Sequence, residues 1–337
     1  MPDRLLSMSV DSTSIQRRPG TSVRTYGAAP ELSIVVPVYR SAVMLHKLHQ
    51  RVADAMAALG VSYELILAED CGGDNSWDVI QGLARQHPNV QGLRLARNFG
   101  QHNALLAGIR LAKGDWVVTI DDDLQNPPEE IRKLLEKAKE GHDVVYGKPR
   151  KQTHGLFRDM ASSVTKMVLR GAMGAEVATH VSAFRIFKTS LRDAFENYQG
   201  PTVNIDVLLT WGTRSYAAIE VVQDEREAGE SGYTLRKLIA HALNMMTGFS
   251  VLPLQVASLA GFLFAIFGVG VMAFVVIRYL IDGSPVPGFP FLASIISLFA
   301  GIQLFALGII GEYLARMHMR SMNRPAYVLA DRTSDAG

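Results

Sequence analysis

Two long uncharged stretches near the carboxyl end limit what this chain can fold into more than any other feature. Val256–Ile277 (VASLAGFLFAIFGVGVMAFVVI) and Phe289–Gly311 (FPFLASIISLFAGIQLFALGIIG) contain no Asp, Glu, Lys or Arg. About 20 consecutive apolar residues suffice for a helix to cross the hydrocarbon core of a bilayer, where every backbone group must be satisfied within the segment. Each stretch therefore reads as a membrane-spanning helix. The alternative is a buried helical hairpin in a water-soluble domain; length and lack of charge weigh against it. Gln303 is the strongly polar side chain in the second stretch and is expected to face the partner helix. The link between the stretches is short, and its one basic residue, Arg278, borders the first. Arg236, Lys237, Arg316, Arg320 and Arg324 lie on the outer flanks. The positive-inside rule then puts both termini, and everything ahead of the first span, in the cytoplasm. The location expected is the cytoplasmic (inner) membrane, as a multi-pass protein.

Ahead of the spans there is room for one full α/β domain in a chain of 337 residues. Residues 1–29 carry Arg4, Arg17, Arg18 and Arg24 among Ser, Thr and Pro, with no apolar run of the kind a secretory signal needs. They read as a disordered cytoplasmic extension. The formal net charge is +2, so no broad basic field points to nucleic acid, and none is expected as a partner. Cys71 is the only cysteine, which excludes a disulfide within the chain. His46 and His49 have no Cys or acidic companion at ligand spacing and read as exposed helix residues.

The segment Leu32–Tyr39 is a continuous, largely β-branched run interrupted by Pro37 and reads as a buried parallel strand. A helical pattern follows to about Leu59. Tyr63–Asp70, Val90–Leu95 and Asp115–Ile120 read as further strands, with helices between them, one starting at Asp74 or Asn75 and one over Asn103–Ala112. This alternation predicts a mostly parallel sheet with helices on both faces, and ligands on such sheets bind beyond the carboxyl ends of the strands. Pro37, Glu69–Asp70, Arg97 and Asp121–Asp123 all fall there. Farther on, Gly155–Met173 and Tyr233–Met246 have helical apolar stripes. The second is basic off its stripe and adjoins the membrane, which suits an interfacial helix.

The last of those strand ends carries three consecutive carboxylates, in Thr119-Ile120-Asp121-Asp122-Asp123-Leu124-Gln125-Asn126-Pro127-Pro128. Adjacent carboxylates repel unless a cation lies among them. In an extended chain Asp121, Asp123 and Gln125 would share one face, with Asp122 on the other. That oxygen set suits Mg²⁺ or Mn²⁺ with a bound diphosphate completing the shell. A solvated acidic turn before a Pro-initiated helix is the plain alternative.

Taken together, Val35-Val36-Pro37-Val38-Tyr39, Glu69-Asp70 with Asp74, Arg97-Asn98-Phe99-Gly100 and Asp121 to Glu129 resemble, in order and spacing, the signatures of family 2 glycosyltransferases. Within that family they are most similar to the polyprenyl-phosphate type. Ser182-Ala183-Phe184-Arg185, Arg226 to Tyr233, Gly311-Glu312-Tyr313 and Asn323-Arg324-Pro325-Ala326-Tyr327 continue the likeness, which covers about residues 31–329. The chain departs from the pattern in three places. Arg40-Ser41 stands where Asn-Glu is common. Glu69 and Gly72 stand for an Asp and a Ser, and Gly232 for a Lys.

The resemblance implies a GT-A fold and an inverting enzyme that moves one sugar from a nucleotide-diphosphate sugar, UDP-linked in preference to GDP-linked, to polyprenyl (undecaprenyl) phosphate. It implies nucleotide-sugar contacts from Pro37, Tyr39, Asp70, Arg97 and Asp122, and metal ligation by Asp121, Asp123 and Gln125. Acceptor-phosphate contacts would come from Arg158, Arg185, Arg226 and Ser231. Asp121, Asp123, Arg185 and Arg226 would be the groups nearest the chemistry. No covalent sugar–enzyme intermediate is needed, because a phosphate oxygen is already ionised at neutral pH and serves as nucleophile. The domains expected are the extension 1–29, a GT-A domain 30–230, an interfacial helix 231–249, a membrane hairpin 250–313 and a cytoplasmic tail 314–337. Assembly of identical copies is compatible with this reading. A processive polysaccharide synthase would need a Gln-x-x-Arg-Trp element and more spans, and a dehydrogenase a Gly-x-Gly-x-x-Gly after the first strand; neither motif is present. A non-catalytic, membrane-anchored binder of nucleotide sugars, or a flippase accessory, is the remaining alternative.

Overall fold

The computed structural model describes residues 29–149, 178, 180–200, 203–224, 252–282 and 288–333. The helical stripes at 155–173 and 233–246, and nearly all of the amino-terminal extension, lie outside these residues. Four β-strands follow the expected alternation: β1 (Leu32–Val38), β2 (Tyr63–Glu69), β3 (Val90–Leu95) and β4 (Trp116–Thr119). Between them run α1 (Ala42–Leu59), α2 (Ser76–Gln86) and α3 (Gln101–Leu111). Helix α4 (Ile131–Lys139) and strands β5 (Val144–Pro149) and β6 (Arg185–Lys188) come next. They are followed by the short α5 (Ile205–Leu209) and β7 (Tyr216–Val221). With β8 (Leu329–Arg332) at one edge, the sheet order is β7-β5-β6-β4-β1-β2-β3-β8, parallel through β4-β1-β2-β3 and antiparallel where β6 joins β4 and β5.

Strand alternation divides the core. Ile34, Val36 and Val38 of β1 pack with Leu45, Leu48 and Val52 of α1 and Ile80 of α2. Val35 points the other way, to Leu105, Leu106 and Ile109 of α3. Gly108 brings α3 close to the sheet: a Cβ there would lie 2.5 Å from Val35 Cγ1. His49 departs from the sequence expectation. It is buried, its ring centroid 4.1 Å from that of His87, because it falls on the sheet-facing side of α1 with Leu45 and Val52.

Two long helices follow, α6 (Leu252–Asp282) and α7 (Phe289–Ser321). Both are long and apolar enough to cross a membrane. Phe299 of α7 meets Phe264 and Phe267 of α6 with ring centroids 6.1 and 6.5 Å apart. Side chains such as Phe262, Leu263 and Met272 remain exposed.

The segment after α7 is more than a trailing end. Residues Leu329–Arg332 form β8, which adds antiparallel to β3 at the sheet edge. Ala96 N donates to Val328 O at 2.8 Å, and Gly92 N to Thr333 Oγ1 at 2.9 Å. The chain thus leaves the last long helix and re-enters the α/β domain.

Candidate functional site

The carboxyl ends of β1, β2, β3 and β4 surround a pocket of about 270 Å³. Pro37, Val38 and Tyr39 come from β1 and the loop after it, and Asp70 from the loop after β2. Asn98, Gly100 and Gln101 lie at the start of α3, and Asp121, Asp122 and Asp123 beyond β4. The backbone is strained around it. Arg40 (φ 57°), Cys71 (φ 52°) and Leu124 (φ 58°) all adopt left-handed conformations without being glycine. Such residues cost on the order of 1–3 kcal/mol each and gather at functional sites.

The acidic triplet is not an extended strand. β4 stops at Thr119, and positive φ at Leu124 turns the chain, so the alternation that groups Asp121, Asp123 and Gln125 does not operate. Each acid has its own support. Asp122 Oδ2 accepts from Ser41 Oγ at 2.5 Å and from Tyr39 N at 3.1 Å. Burial raises its pKa, and these two hydrogen bonds oppose the rise. Asp121 Oδ1 accepts from Gln101 Nε2 at 2.6 Å, and Asp123 Oδ1 from Gln125 N at 3.1 Å. Gln125 itself is not among the pocket residues; its carbonyl accepts from Asp224 N at 2.9 Å.

Asp70 is buried at the pocket floor, with both oxygens engaged. Oδ1 accepts from Phe99 N at 2.7 Å and Oδ2 from Gly100 N at 2.8 Å. Burial raises its pKa and these bonds lower it, the rise prevailing. It therefore shapes the loop that opens α3, and only its remaining lone pairs are left for a base or ribose. Arg40 and Gly72, two of the departures from the family pattern, touch. Arg40 Nε donates to Gly72 O at 3.0 Å, and a Cβ on Gly72 would lie 2.7 Å from Arg40 N.

Arg185 forms a buried ion pair next to the acidic loop. It is 1% exposed. Its Nη1 pairs with Asp206, and its Nε donates to Thr119 Oγ1 at 2.9 Å. Tyr146 OH donates to Asp206 Oδ1 at 3.1 Å. Burial works against the guanidinium charge, but the Asp206 carboxylate outweighs it and raises the pKa, with Asp121 adding to the effect. Burial and the Asp206 charge push the Tyr146 hydroxyl well above its usual range. Arg185 is thus tied to Thr119, the last residue of β4, and to Asp206.

Arg97 also stands apart from the aspartates. Its guanidinium lies 4.4 Å over the Phe99 ring and faces a neighbouring pocket of about 260 Å³. Arg158, Arg226 and Ser231 lie outside the described residues. The contributions of Ser41 and Gln101 escape a reading of the sequence, because a hydroxyl and an amide become partners of the acids only when four strand ends converge.

Among the described residues no three or more His, Cys, Asp or Glu gather as a complete metal cage. Asp121 and Asp123 are hard oxygen donors at an open pocket. That incomplete set suits Mg²⁺ or Mn²⁺ shared with substrate phosphates, as Mg²⁺ in particular is usually held.

Residues 33–198 match the family model described as glycosyl transferase family 2. The chain is 33% identical over 302 residues to the uncharacterized glycosyltransferase YkcC of Bacillus subtilis, covering 89% of this chain and 93% of that protein. It is 34% identical over 303 residues to the undecaprenyl-phosphate 4-deoxy-4-formamido-L-arabinose transferase of Shewanella sediminis (89% and 92% covered). To the transferase of the same name in Aeromonas hydrophila it is 35% identical over 301 residues (88% and 92%).

Proposed function

The chain belongs to glycosyl transferase family 2 and is a glycosyltransferase, and from that premise we propose that it transfers one sugar from a UDP-sugar to undecaprenyl phosphate at the cytoplasmic face of the inner membrane. The observation that carries this reading is one pocket, rich in aspartate, in a chain that also has two exposed apolar helices of membrane-spanning length. The relatives named for undecaprenyl phosphate support the acceptor, and the pentose in their name is the first donor sugar to try. The product would be a lipid-linked sugar for modification of cell-envelope glycans. A non-catalytic binder would not need the positioning of Asp121 by Gln101 or of Asp122 by Ser41.

In this reading Pro37, Tyr39 and Asp122 hold the nucleotide, and Asp70 fixes the loop at the start of α3 that forms its wall. Asp121 and Asp123 face the diphosphate. A bound Mg²⁺ or Mn²⁺ would neutralise charge as the nucleoside diphosphate leaves. The acceptor phosphate needs positioning by cations more than it needs a base. Arg158, Arg226 and Ser231 are the proposed contacts, beside an interfacial helix at 231–249 that keeps them at headgroup depth.

With Arg185 buried, Arg226 carries most of the acceptor assignment. Arg226→Ala is expected to raise the KM for undecaprenyl phosphate roughly ten- to a hundredfold, the loss of one charge-assisted contact of about 1.5–3 kcal/mol. Its affinity for the UDP-sugar, measured by titration, is expected to stay within about twofold. Lost nucleotide affinity with an unchanged lipid KM would reverse the two sides of the site.

A further inference from the structure

A second pocket adjoins the aspartate pocket, shares Asn98 with it, and has the opposite charge. Arg97 and Arg324 line it, and none of the described residues lining it is acidic. The aspartate pocket has four carboxylates and no cation among its described residues. We infer that this arginine pocket binds the phosphate headgroup of a membrane lipid where α7 leaves the bilayer.

Three observations converge on that ligand. First, guanidinium groups bind phosphate oxygens through paired donors. Arg97 is also held in place by its contact with the Phe99 ring, and Phe99 by its bond to Asp70. Second, depth matches. Met319 lines the pocket from the last turn of α7, at the end of the apolar span Leu298–Ser321. A headgroup phosphate stays at that level because its charge is costly in hydrocarbon. Third, the pocket asks for a hydrogen-bond donor as well. Asn103 Nδ2 donates to Phe99 O at 2.6 Å, which fixes the amide, while Asn103 Oδ1 is buried without a hydrogen-bond partner. A buried acceptor left unpaired is costly, so a ligand that donates to it gains affinity. A phosphate with hydroxyl groups beside it, as in phosphatidylglycerol, satisfies both requirements; a phosphate monoester such as undecaprenyl phosphate satisfies the arginines alone, and a zwitterionic choline headgroup lacks the donor and brings its own cation.

The surroundings hold the pocket together from both sides. The Arg110 guanidinium lies 5.4 Å over the Tyr327 ring and donates to Tyr198 O at 2.7 Å. Strand β8 then anchors the segment that follows α7 to β3. The pocket therefore exists only while the end of α7 is docked on the α/β domain. A headgroup in it would hold that edge of the domain on the bilayer, one residue away from the aspartate pocket.

The inference rests on α7 crossing a bilayer, as proposed above. Its test is native mass spectrometry of the full-length chain in detergent, with phosphatidylglycerol, undecaprenyl phosphate and phosphatidylcholine added singly. The wild-type chain is expected to retain one phosphatidylglycerol or undecaprenyl phosphate and no phosphatidylcholine. Arg324→Gln is expected to weaken that retention about tenfold, with Arg324→Lys in between, and neither to alter UDP binding or the thermal midpoint. A loss of undecaprenyl phosphate retention in Arg324→Gln larger than that of phosphatidylglycerol would identify a waiting site for the acceptor. An equal or larger loss of phosphatidylglycerol retention would identify a bilayer anchor. Unchanged retention in Arg324→Gln, or equal retention of phosphatidylcholine, would overturn the inference. Release of the wild-type chain from membranes by alkaline carbonate would instead remove the membrane reading beneath it, whatever the lipid counts.

Discussion

Replacing Asp123 or Asp121 by alanine is expected to reduce kcat/KM about a thousandfold, on the order of 4 kcal/mol, in a chain that still folds. Both residues are half-buried in the loop beyond β4 and contribute no core packing. Asp122 is different: Ser41 and Tyr39 both donate to it, so its loss would loosen the loop after β1 as well. The comparison is made by sugar transfer alongside thermal unfolding of each variant. Excess chelator is expected to mimic the Asp123 variant. Full activity in chelator, or an active and folded Asp123→Ala chain, would contradict the assignment of these carboxylates to the leaving diphosphate.

The second large effect is on stability. Arg185→Met leaves Asp206 charged, buried and unpaired, a change that typically costs about 3–5 kcal/mol. For a domain of this size the thermal midpoint should fall by roughly 10 °C, measured on the full chain in detergent. Removing both charges, as in Arg185→Met with Asp206→Leu, should recover much of that loss, since a buried ion pair contributes little over an apolar pair. Tyr146 would then lack its partner, while Thr119 Oγ1 would keep its bond to Ala183 O, so recovery stays incomplete. An Arg185 variant with an unchanged midpoint and a weakened lipid KM would restore Arg185 as an acceptor contact.

The fold of the α/β half was legible because its signals are local. Strand-like runs at Leu32, Tyr63 and Val90, separated by helical periods, specify parallel strands with crossovers, and the strands follow them within a residue. The GT-A arrangement expected from the motifs is the one the sheet adopts. Strand β8 was not legible. Leu329–Arg332 is short and lacks an apolar alternation, and its partner β3 lies far back in the chain, so tertiary pairing alone makes it a strand.

The candidate site shows the same division. Which acids line the pocket could be read from their place at the strand ends, but their orientation could not. A left-handed turn at Leu124 separates Asp123 from Gln125, and Asp70 turns to backbone donors because the β3–α3 loop folds over it. Arg185 reads as a free cation in Ser182-Ala183-Phe184-Arg185. The signal against that was Asp206, a lone acid in the apolar Ile205–Leu209, whose burial requires a cation nearby. Arg40 and Gly72 look like two separate departures from the family pattern. In space they are one, since the backbone of Arg40 fills the room a side chain on Gly72 would need.

The central claim is tested most directly by single-turnover transfer: full-length protein in membranes, undecaprenyl phosphate, a divalent cation, and UDP- or GDP-linked radiolabelled sugars supplied in parallel. The account predicts that label moves from a UDP-sugar into an organic-extractable, undecaprenyl-phosphate-dependent product, and that the same membranes carrying Asp123→Ala form none. Nucleotide-sugar binding at ordinary affinity with no lipid-linked label from any donor would contradict it and leave the non-catalytic binder in its place.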